Sequence, residues 1–402
     1  MMRLNKKFNN VLNHKPKHAL SQKHIPAIIL SSIFLWACTS PTQPTVAAET
    51  SASSSQKIQQ GFKTEKIATF NEPWALTNLP DGRLLVTERA GKLLVFDPVS
   101  KEKLNVLGVP KVAYGGQGGL GDIILHPQFA SNHWIYLSYA EQGQGGYGAK
   151  VIRAKLDFSN AKQPRLLDEK VIWQQVPKVS GQGHYGHRML FGNDGKLWIA
   201  SGERQHFDPA QDMQSNLGKI LRLNEDGTPA EGNPFAAKGG VTAQIWSLGH
   251  RNPLGIAMDK DQQLWVVEMG PEGGDELNLI SKGTNYGYPL VSEGNHYGGK
   301  PIPNHDTRPE FQAPDISWTP VISPSSLIIY SGKQFPQWQN KALIGGLSSK
   351  AIVVVDLAIK PVQEVQRIDM GERIRGLLQA PDGGIWVIED GKNGQLLKLT
   401  AN

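Results

Sequence analysis

The sequence predicts an all-β fold, a six-bladed β-propeller of four-stranded antiparallel blades spanning residues 61–402. Three observations predict it. Beyond residue 60, helical periodicity is scarce, while Gly, Pro and short β-rich runs are frequent. One phrase, a turn that is often Asp-Gly followed by an alternating apolar strand, occurs six times. Its copies are spaced at the long intervals of propeller blades, roughly 40 to 80 residues, which a simple sandwich would not show.

The chain opens on a different kind of segment. Residues 1–37 carry Arg3, Lys6, Lys7, Lys15, Lys17 and Lys23 and no acid. A short apolar run from Ile25 to Ala37 follows, ending in Leu35-Trp36-Ala37-Cys38. A basic start, a short apolar stretch and a small-residue junction read as an export signal. The run is too short to serve comfortably as a permanent span. Cys38 is the chain's single cysteine and falls where a bacterial lipoprotein signal places its lipidated residue. The competing reading is an uncleaved anchor with an incidental cysteine. Thr39 resembles the outer-membrane sorting class, so the expectation is an exported lipoprotein facing the periplasm. Residues 38–60, rich in Ser, Thr, Pro, Gln and Ala, suit a flexible tether.

Removing residues 1–37 lowers the formal charge from +6 to zero. The basic balance therefore belongs to the export signal and argues against a nucleic-acid partner. With Cys38 lipidated, no disulfide can form.

The propeller elements follow in order. Lys63 to Phe70 supplies a strand that closes the ring against the last blade. The six copies are Asp81-Gly82-Arg83-Leu84-Leu85-Val86, Ser131 to Leu137, Asp194 to Ile199, Asp261 to Val266, Gln339 to Ile344 and Asp382 to Val387, of which two are weak. Trp134, Trp198, Trp265 and Trp386 lie inside these strands. Blade packing is their expected role, ahead of a sugar platform.

Each turn joins an innermost hairpin, so the start of the first strand and the end of the second lie at the face opposite the turn. Equivalent positions then form a ring around the axis. His184 lies 11 residues before Gly195, Arg251 lies 11 before Gln262, and Arg373 lies 10 before Gly383. Asn252 and Arg375 stand beside them, and Gln117 precedes the second copy. Gly202-Glu203-Arg204, Glu268-Met269-Gly270-Pro271 and Ser348-Ser349-Lys350 should open on the same face. A lone histidine is ordinarily satisfied by backbone, but the register of His184 with two arginine loops favours a general base. His184 and His187 could suggest a metal pair, although loop spacing does not put both on one face. Exposed arginines usually form a solvated rim, and Glu372 could pair locally. Three at inner-strand entrances instead suggest a polyanionic ligand held by bidentate carboxylate contacts. No Gly-x-Ser-x-Gly elbow, Walker loop or dinucleotide fingerprint is present in context.

Gln117-Gly118-Gly119-Leu120-Gly121, His184-Tyr185-Gly186-His187-Arg188 and Leu248-Gly249-His250-Arg251-Asn252-Pro253 carry a resemblance. So do Gly270-Pro271, Gly274-Asp275-Glu276-Leu277-Asn278, Asn285-Tyr286-Gly287-Tyr288-Pro289 and Arg373-Ile374-Arg375. Together they resemble the soluble pyrroloquinoline-quinone (PQQ)-dependent sugar dehydrogenases, of the glucose/sorbosone dehydrogenase family, and most of all the aldose sugar dehydrogenase branch. The resemblance covers about residues 62 to 400 and implies the six-bladed fold. It implies oxidation of an aldose at C1 to the lactone, with His184 taking a proton while hydride passes to PQQ. Gln117, Arg251, Asn252, Arg373 and Arg375 would hold the cofactor. Ca2+ would sit on the carbonyls of Gly270 and Pro271, and a second Ca2+ at Glu276 and the Tyr286 backbone. For Glu276 a loop salt bridge is the alternative.

Two departures accompany it. Gly183 stands where the glucose branch has Asp, and Ser348 where it has a cofactor-binding Lys, with Lys350, two residues on, as the candidate substitute. Asn295 to Asp315 lacks the dimer-forming loops, so a monomer is expected. The electron acceptor would be a quinone or a cytochrome, and membrane attachment would be through Cys38 alone. The competing functions are a propeller lactonase-type hydrolase, which would need axial Asp and Glu, and a non-catalytic envelope scaffold.

Overall fold

The computed structural model describes residues 61–402. The export signal, Cys38 and the tether lie outside the described residues. The described chain forms six four-stranded antiparallel sheets. In five of them the strands follow one another along the chain, and the sixth recruits its outer strand from the N-terminal side. That strand, Phe62–Phe70, pairs with Gly394–Ala401 from Phe62 opposite Ala401 to Phe70 opposite Gly394, as the sequence led us to expect. Its two end aromatics pin it to both neighbouring blades. Phe62 packs edge-on against Trp338 at 5.6 Å, and Phe70 against Phe96 at 5.4 Å.

The recurring phrase has a local cause. Each copy turns between the innermost strand and the next, and each needs one residue with left-handed backbone. Gln262 fills that position in one copy at φ +62°, and Gly82, Gly195 and Gly383 fill it in three others at φ +88°, +72° and +85°. There the missing Cβ removes the steric cost of positive φ. The preceding aspartate locks the turn from its side chain: Asp81, Asp194 and Asp382 each accept the N–H two residues on, at 3.1, 3.0 and 2.9 Å. The two weak copies are longer turns. A short helix, Phe129–Asn132, precedes His133, and a 3-10 turn, Pro336–Trp338, precedes Asn340. Those two residues take the left-handed position at φ +56° and +57°.

The four strand tryptophans are packing residues. Trp198, Trp265 and Trp386 are buried in the blade cores. Trp134 is covered by Arg153 and Lys155.

The opposite end of each innermost strand carries a second repeated feature. In each of the six innermost strand pairs the register shifts at the strand start, between Pro73 and Ala75, Leu120 and Ile123, Gly186 and Met189, Pro253 and Gly255, Pro324 and Ser326, and Ile374 and Gly376. A bulge leaves a residue out of the ladder and re-aims its side chain. Here the residues set free are Trp74, Gly121 with Asp122, His187 with Arg188, Leu254, Ser325 and Arg375.

Arg188 gathers these six bulges. Its Nη1 donates to Asp122 Oδ1 (3.2 Å), its Nε to the Leu254 carbonyl (2.9 Å), and its Nη2 to the carbonyls of Ser325 (2.5 Å) and Arg375 (3.4 Å). The guanidinium carbon lies 3.9 Å from the Trp74 ring centre. One buried side chain thus touches every other blade. Planar donors in a fixed fork suit this task, which a lysine could not perform. Asp122 also accepts the Met189 N–H at 2.8 Å. Burial pushes its carboxyl upward, and Arg188 opposes that push.

Arg188→Met should therefore leave Asp122 buried without its counter-charge and destabilise the fold by about 3–5 kcal/mol. Adding Asp122→Leu should recover part of the loss, as read by denaturant melts. Equal stability of Arg188→Met and the wild type would contradict the hub.

Candidate functional site

The bulged strand starts open on a cavity of about 340 Å³, whose wall includes Glu72, Trp74, Arg89, Gln117, Tyr185, His187, Asn252, Met269, Arg373, Arg375 and Asp390. Its floor is a stack: Trp74 lies parallel to His187, ring centres 4.9 Å apart, above Arg188. Four of the six ring residues expected from register, Gln117, Asn252, Arg373 and Arg375, line the cavity. His184 and Arg251 lie directly behind it, His184 donating its backbone N–H to Gln117 Oε1 at 2.7 Å.

The two histidines of the 184–187 segment do different work. His187 Nδ1 meets Ser138 Oγ at 2.7 Å, and burial pushes its pKa down to about 3, so it stays neutral. His184 Nδ1 lies 2.7 Å from Glu203 Oε1, and the other Glu203 oxygen accepts the His206 N–H at 3.0 Å. A carboxylate at Nδ1 makes that nitrogen the donor and leaves Nε2 with its lone pair. Burial lowers the His184 pKa from its ordinary value; Glu203 pulls it back up, and Arg251 and Arg204 push it down again. Its backbone is left-handed at φ +46°, a conformation costly for a side-chain-bearing residue and often retained at functional sites. Close packing enforces it: a Cβ at Gly202 would come within 2.1 Å of the His184 carbonyl.

Glu203 follows the second strand of its blade, where side chains were expected to open on this face, but its pairing with His184 was not legible in the spacing. The departure at Gly183 also has a physical reason. A Cβ there would meet the Gln205 carboxamide at 2.2 Å, so that space is already filled. His250 shows by contrast what a structural histidine looks like here. Both of its nitrogens are occupied, Nδ1 by Glu268 (2.8 Å) and Nε2 by Ser247 (2.8 Å).

Glu268 also accepts the Arg251 N–H at 2.7 Å, fixing the turn that presents Arg251 and Asn252. The Arg251 guanidinium then rests on two neutral acceptors, the carbonyls of Met269 (3.0 Å) and Gly270 (2.6 Å). Its Nε and Asn252 Oδ1 are both buried without a hydrogen-bond partner. Buried polar groups are rarely left so, and their neighbourhood calls for a ligand. On the far wall Asp390 holds Arg373 and Arg375 together, each Nε at 2.9 Å. Asp390, rather than Glu372, is their partner. Lys350 does not line the cavity; its ammonium donates to the Gly371 carbonyl at 3.1 Å and lies 3.9 Å from Glu372.

The expected metal positions are mixed. The Gly270 carbonyl faces a cation already, that of Arg251. Glu276 is partly buried beside Glu268, Glu293 and Asp275; burial first and then these like charges raise its pKa well above the carboxylate range. The Tyr286 carbonyl accepts from His305 Nε2 at 3.0 Å, and His305 Nδ1 lies 2.9 Å from Glu293. Among the described residues no group of three or more His, Cys, Asp or Glu side chains converges as a ready metal site.

The profile of the glucose/sorbosone dehydrogenase family matches residues 70–398. Aldose sugar dehydrogenase YliI of Escherichia coli (strain K12) is 38% identical over 342 residues, which is 82% of this chain and 90% of that protein. A crystal structure of glucose dehydrogenase superposes with a TM-score of 0.81 at 36% identity, covering 85% of this chain and all of the other. The PQQ-bound form of aldose sugar dehydrogenase from Streptomyces coelicolor superposes with a TM-score of 0.70 at 29% identity, covering 84% of this chain and 98% of the other.

The His184–Glu203 geometry can be tested on the free protein. Histidine NMR should find His184 Nε2 unprotonated at neutral pH and titrating below 6.5, the ordinary imidazole value. Glu203→Gln removes the one partner that raises it, so the titration should move lower still. A His184 that titrates at or above the ordinary value would contradict the assignment.

Proposed function

The chain belongs to the glucose/sorbosone dehydrogenase family, and from that premise we propose that it is a quinoprotein oxidising aldose sugars at C1 to the lactone. The observation that carries this reading is the pairing of an unsatisfied, arginine-rich wall with a neutral, carboxylate-oriented histidine. The residues fit the cofactor. Arg251 is buried with only carbonyls as acceptors, and its Nε and Asn252 Oδ1 await partners. A small polycarboxylate supplies the acceptor that Arg251 Nε lacks, while Asn252 Oδ1 calls for a donor, such as an N–H of the ligand. Bound there, PQQ supplies the hydride acceptor and Ca2+ a Lewis acid, the combination that the resemblance implies.

The protein's own residues supply the remainder. His184 Nε2 takes the C1 hydroxyl proton as the C1 hydrogen leaves with its electron pair, and Glu203 stabilises the imidazolium that forms. Arg373 and Arg375, pre-set by Asp390, receive carboxylates, while Gln117 and Asn252 orient the ligand from the opposite side. The carbonyls of Gly270 and Pro271 would hold the Ca2+ of the site, Arg251 giving way at Gly270. A second Ca2+ at Glu276 and the Tyr286 carbonyl would relieve the crowding of carboxylates that raises Glu276. We further propose a monomer that passes electrons to a quinone or a cytochrome and is anchored by lipid on Cys38 to the periplasmic side of the outer membrane. The chemistry of the axis disfavours a hydrolase, since the two carboxylates on the cavity wall, Glu72 and Asp390, are each paired with arginine and do not converge as a metal site.

Reconstitution tests the reading. Apoprotein loaded with PQQ and Ca2+ should reduce a dye in the presence of aldoses and lose activity on chelation. His184→Ala should keep the cofactor and lose about 10²–10⁴ in turnover, the usual range for a general base. Absence of both cofactor binding and sugar oxidation would overturn the proposal, and full turnover in His184→Ala would move the base elsewhere. The anchor is tested separately by cell fractionation. Cys38→Ala should release the protein from the membrane fraction, and unchanged membrane association would contradict the lipid.

A further inference from the structure

Arg89 stands on the cavity wall, at the end of strand Leu84–Glu88 of the first blade, and no step of the reaction uses it. Its Nη2 donates to Glu72 Oε1 at 2.8 Å and its Nη1 to the Gly116 carbonyl at 2.5 Å, next to Gln117. Its guanidinium carbon lies 4.9 Å from the Tyr114 ring centre, and the Tyr114 hydroxyl donates to the second Glu72 oxygen at 2.6 Å. The side chain is about one-fifth exposed, at 22%. It is thus oriented but not sealed.

Glu72 is held with equal care. Its backbone is left-handed at φ +50°, and its N–H donates to Gly391, the residue after Asp390. Burial alone would raise its pKa, but the Tyr114 hydroxyl and Arg89 hold it below the ordinary carboxylate range. The carboxylate is therefore charged and committed to Arg89.

The first blade thereby repeats what the last blade does with Asp390. Arg89 is near enough to Arg375 to disfavour its charge. Three guanidinium groups, Arg89, Arg373 and Arg375, share the wall with two carboxylates, Glu72 and Asp390. One positive charge is left over in a half-enclosed space, where an anion is attracted more strongly than in open water.

We propose that Arg89 is a further carboxylate-binding arginine of the cavity beside Arg251, Arg373 and Arg375, set opposite the last two across the seam between the first and last blades, with Glu72 as its orienting counter-ion. The proposal rests on the reading of the ligand as the polycarboxylate quinone. A planar fork already fixed on two sides loses little freedom on meeting a carboxylate, which favours binding.

The test is direct titration of the full chain with PQQ in excess Ca2+, followed by tryptophan fluorescence, without sugar or dye. Arg89→Gln should weaken binding about tenfold or more, and Arg89→Lys should recover only part of it. Glu72→Gln should tighten binding several-fold, because it removes a competing negative charge. If Arg89 merely stitched the loop carrying Gln117 to the blade, both Arg89→Gln and Glu72→Gln would loosen the site and weaken binding together. That result overturns the proposal, as does wild-type affinity in Arg89→Gln. Should Arg89→Gln fail to fold, the direction of the Glu72→Gln shift decides alone. A wild-type protein that does not bind PQQ overturns the functional reading and this inference with it. Tight wild-type binding with an unaltered Arg89→Gln overturns only the inference.

Discussion

Six bulged strand starts meet at the propeller axis, and one group binds them together there. Arg188 is that group. It accepts the geometry of five other blades at once, through Asp122, three carbonyls and the face of Trp74. The site depends on this arrangement. Trp74 and His187 form the cavity floor because Arg188 supports the indole from below, and the Arg375 backbone is one of the acceptors it fixes. The cavity is therefore a consequence of how the axis is closed.

Around that axis the charges divide into two tiers. Guanidinium groups stand at or just behind the cavity wall, and carboxylates from the strand ends hold them or their loops in place. Glu203 orients His184 and caps the turn at His206, Glu268 fixes the Arg251 turn, Asp390 clamps two arginines and Glu72 orients Arg89. Glu88 takes the Asn71 N–H in the same manner at 2.7 Å. Such acids oppose one another less than they would in a cluster, because each faces its own donor. The exception is the group near Glu276, where several carboxylates share one region and a cation would have most to offer.

The blade count and the site face were legible because both depend on short-range chemistry. An Asp-Gly turn announces itself through the left-handed glycine and the aspartate that locks it, and innermost strands of equal length carry the register to the opposite rim. That is why spacing alone places Gln117, Asn252, Arg373 and Arg375 together. The partners were less visible. Glu203 and Asp390 come from the far end of the neighbouring strand, so their pairing depends on bulges that spacing does not reveal. Arg188 read as one letter in a motif, since nothing local marks a residue that bonds to four other blades and stacks on a fifth. Lys350, with left-handed backbone at φ +51°, places its ammonium on the Gly371 carbonyl and not on the cavity wall, which its spacing from Ser348 did not reveal.

In the proposed reaction, hydrogen leaves the sugar at C1 while His184 holds the hydroxyl proton. Anaerobic rapid mixing of the PQQ- and Ca2+-loaded protein with an aldose deuterated at C1 tests it most directly. Reduction of the bound cofactor, followed by absorbance, should be several-fold slower than with the protiated sugar. Equal rates under conditions where sugar binding is saturated would contradict transfer from C1 as the step this site performs.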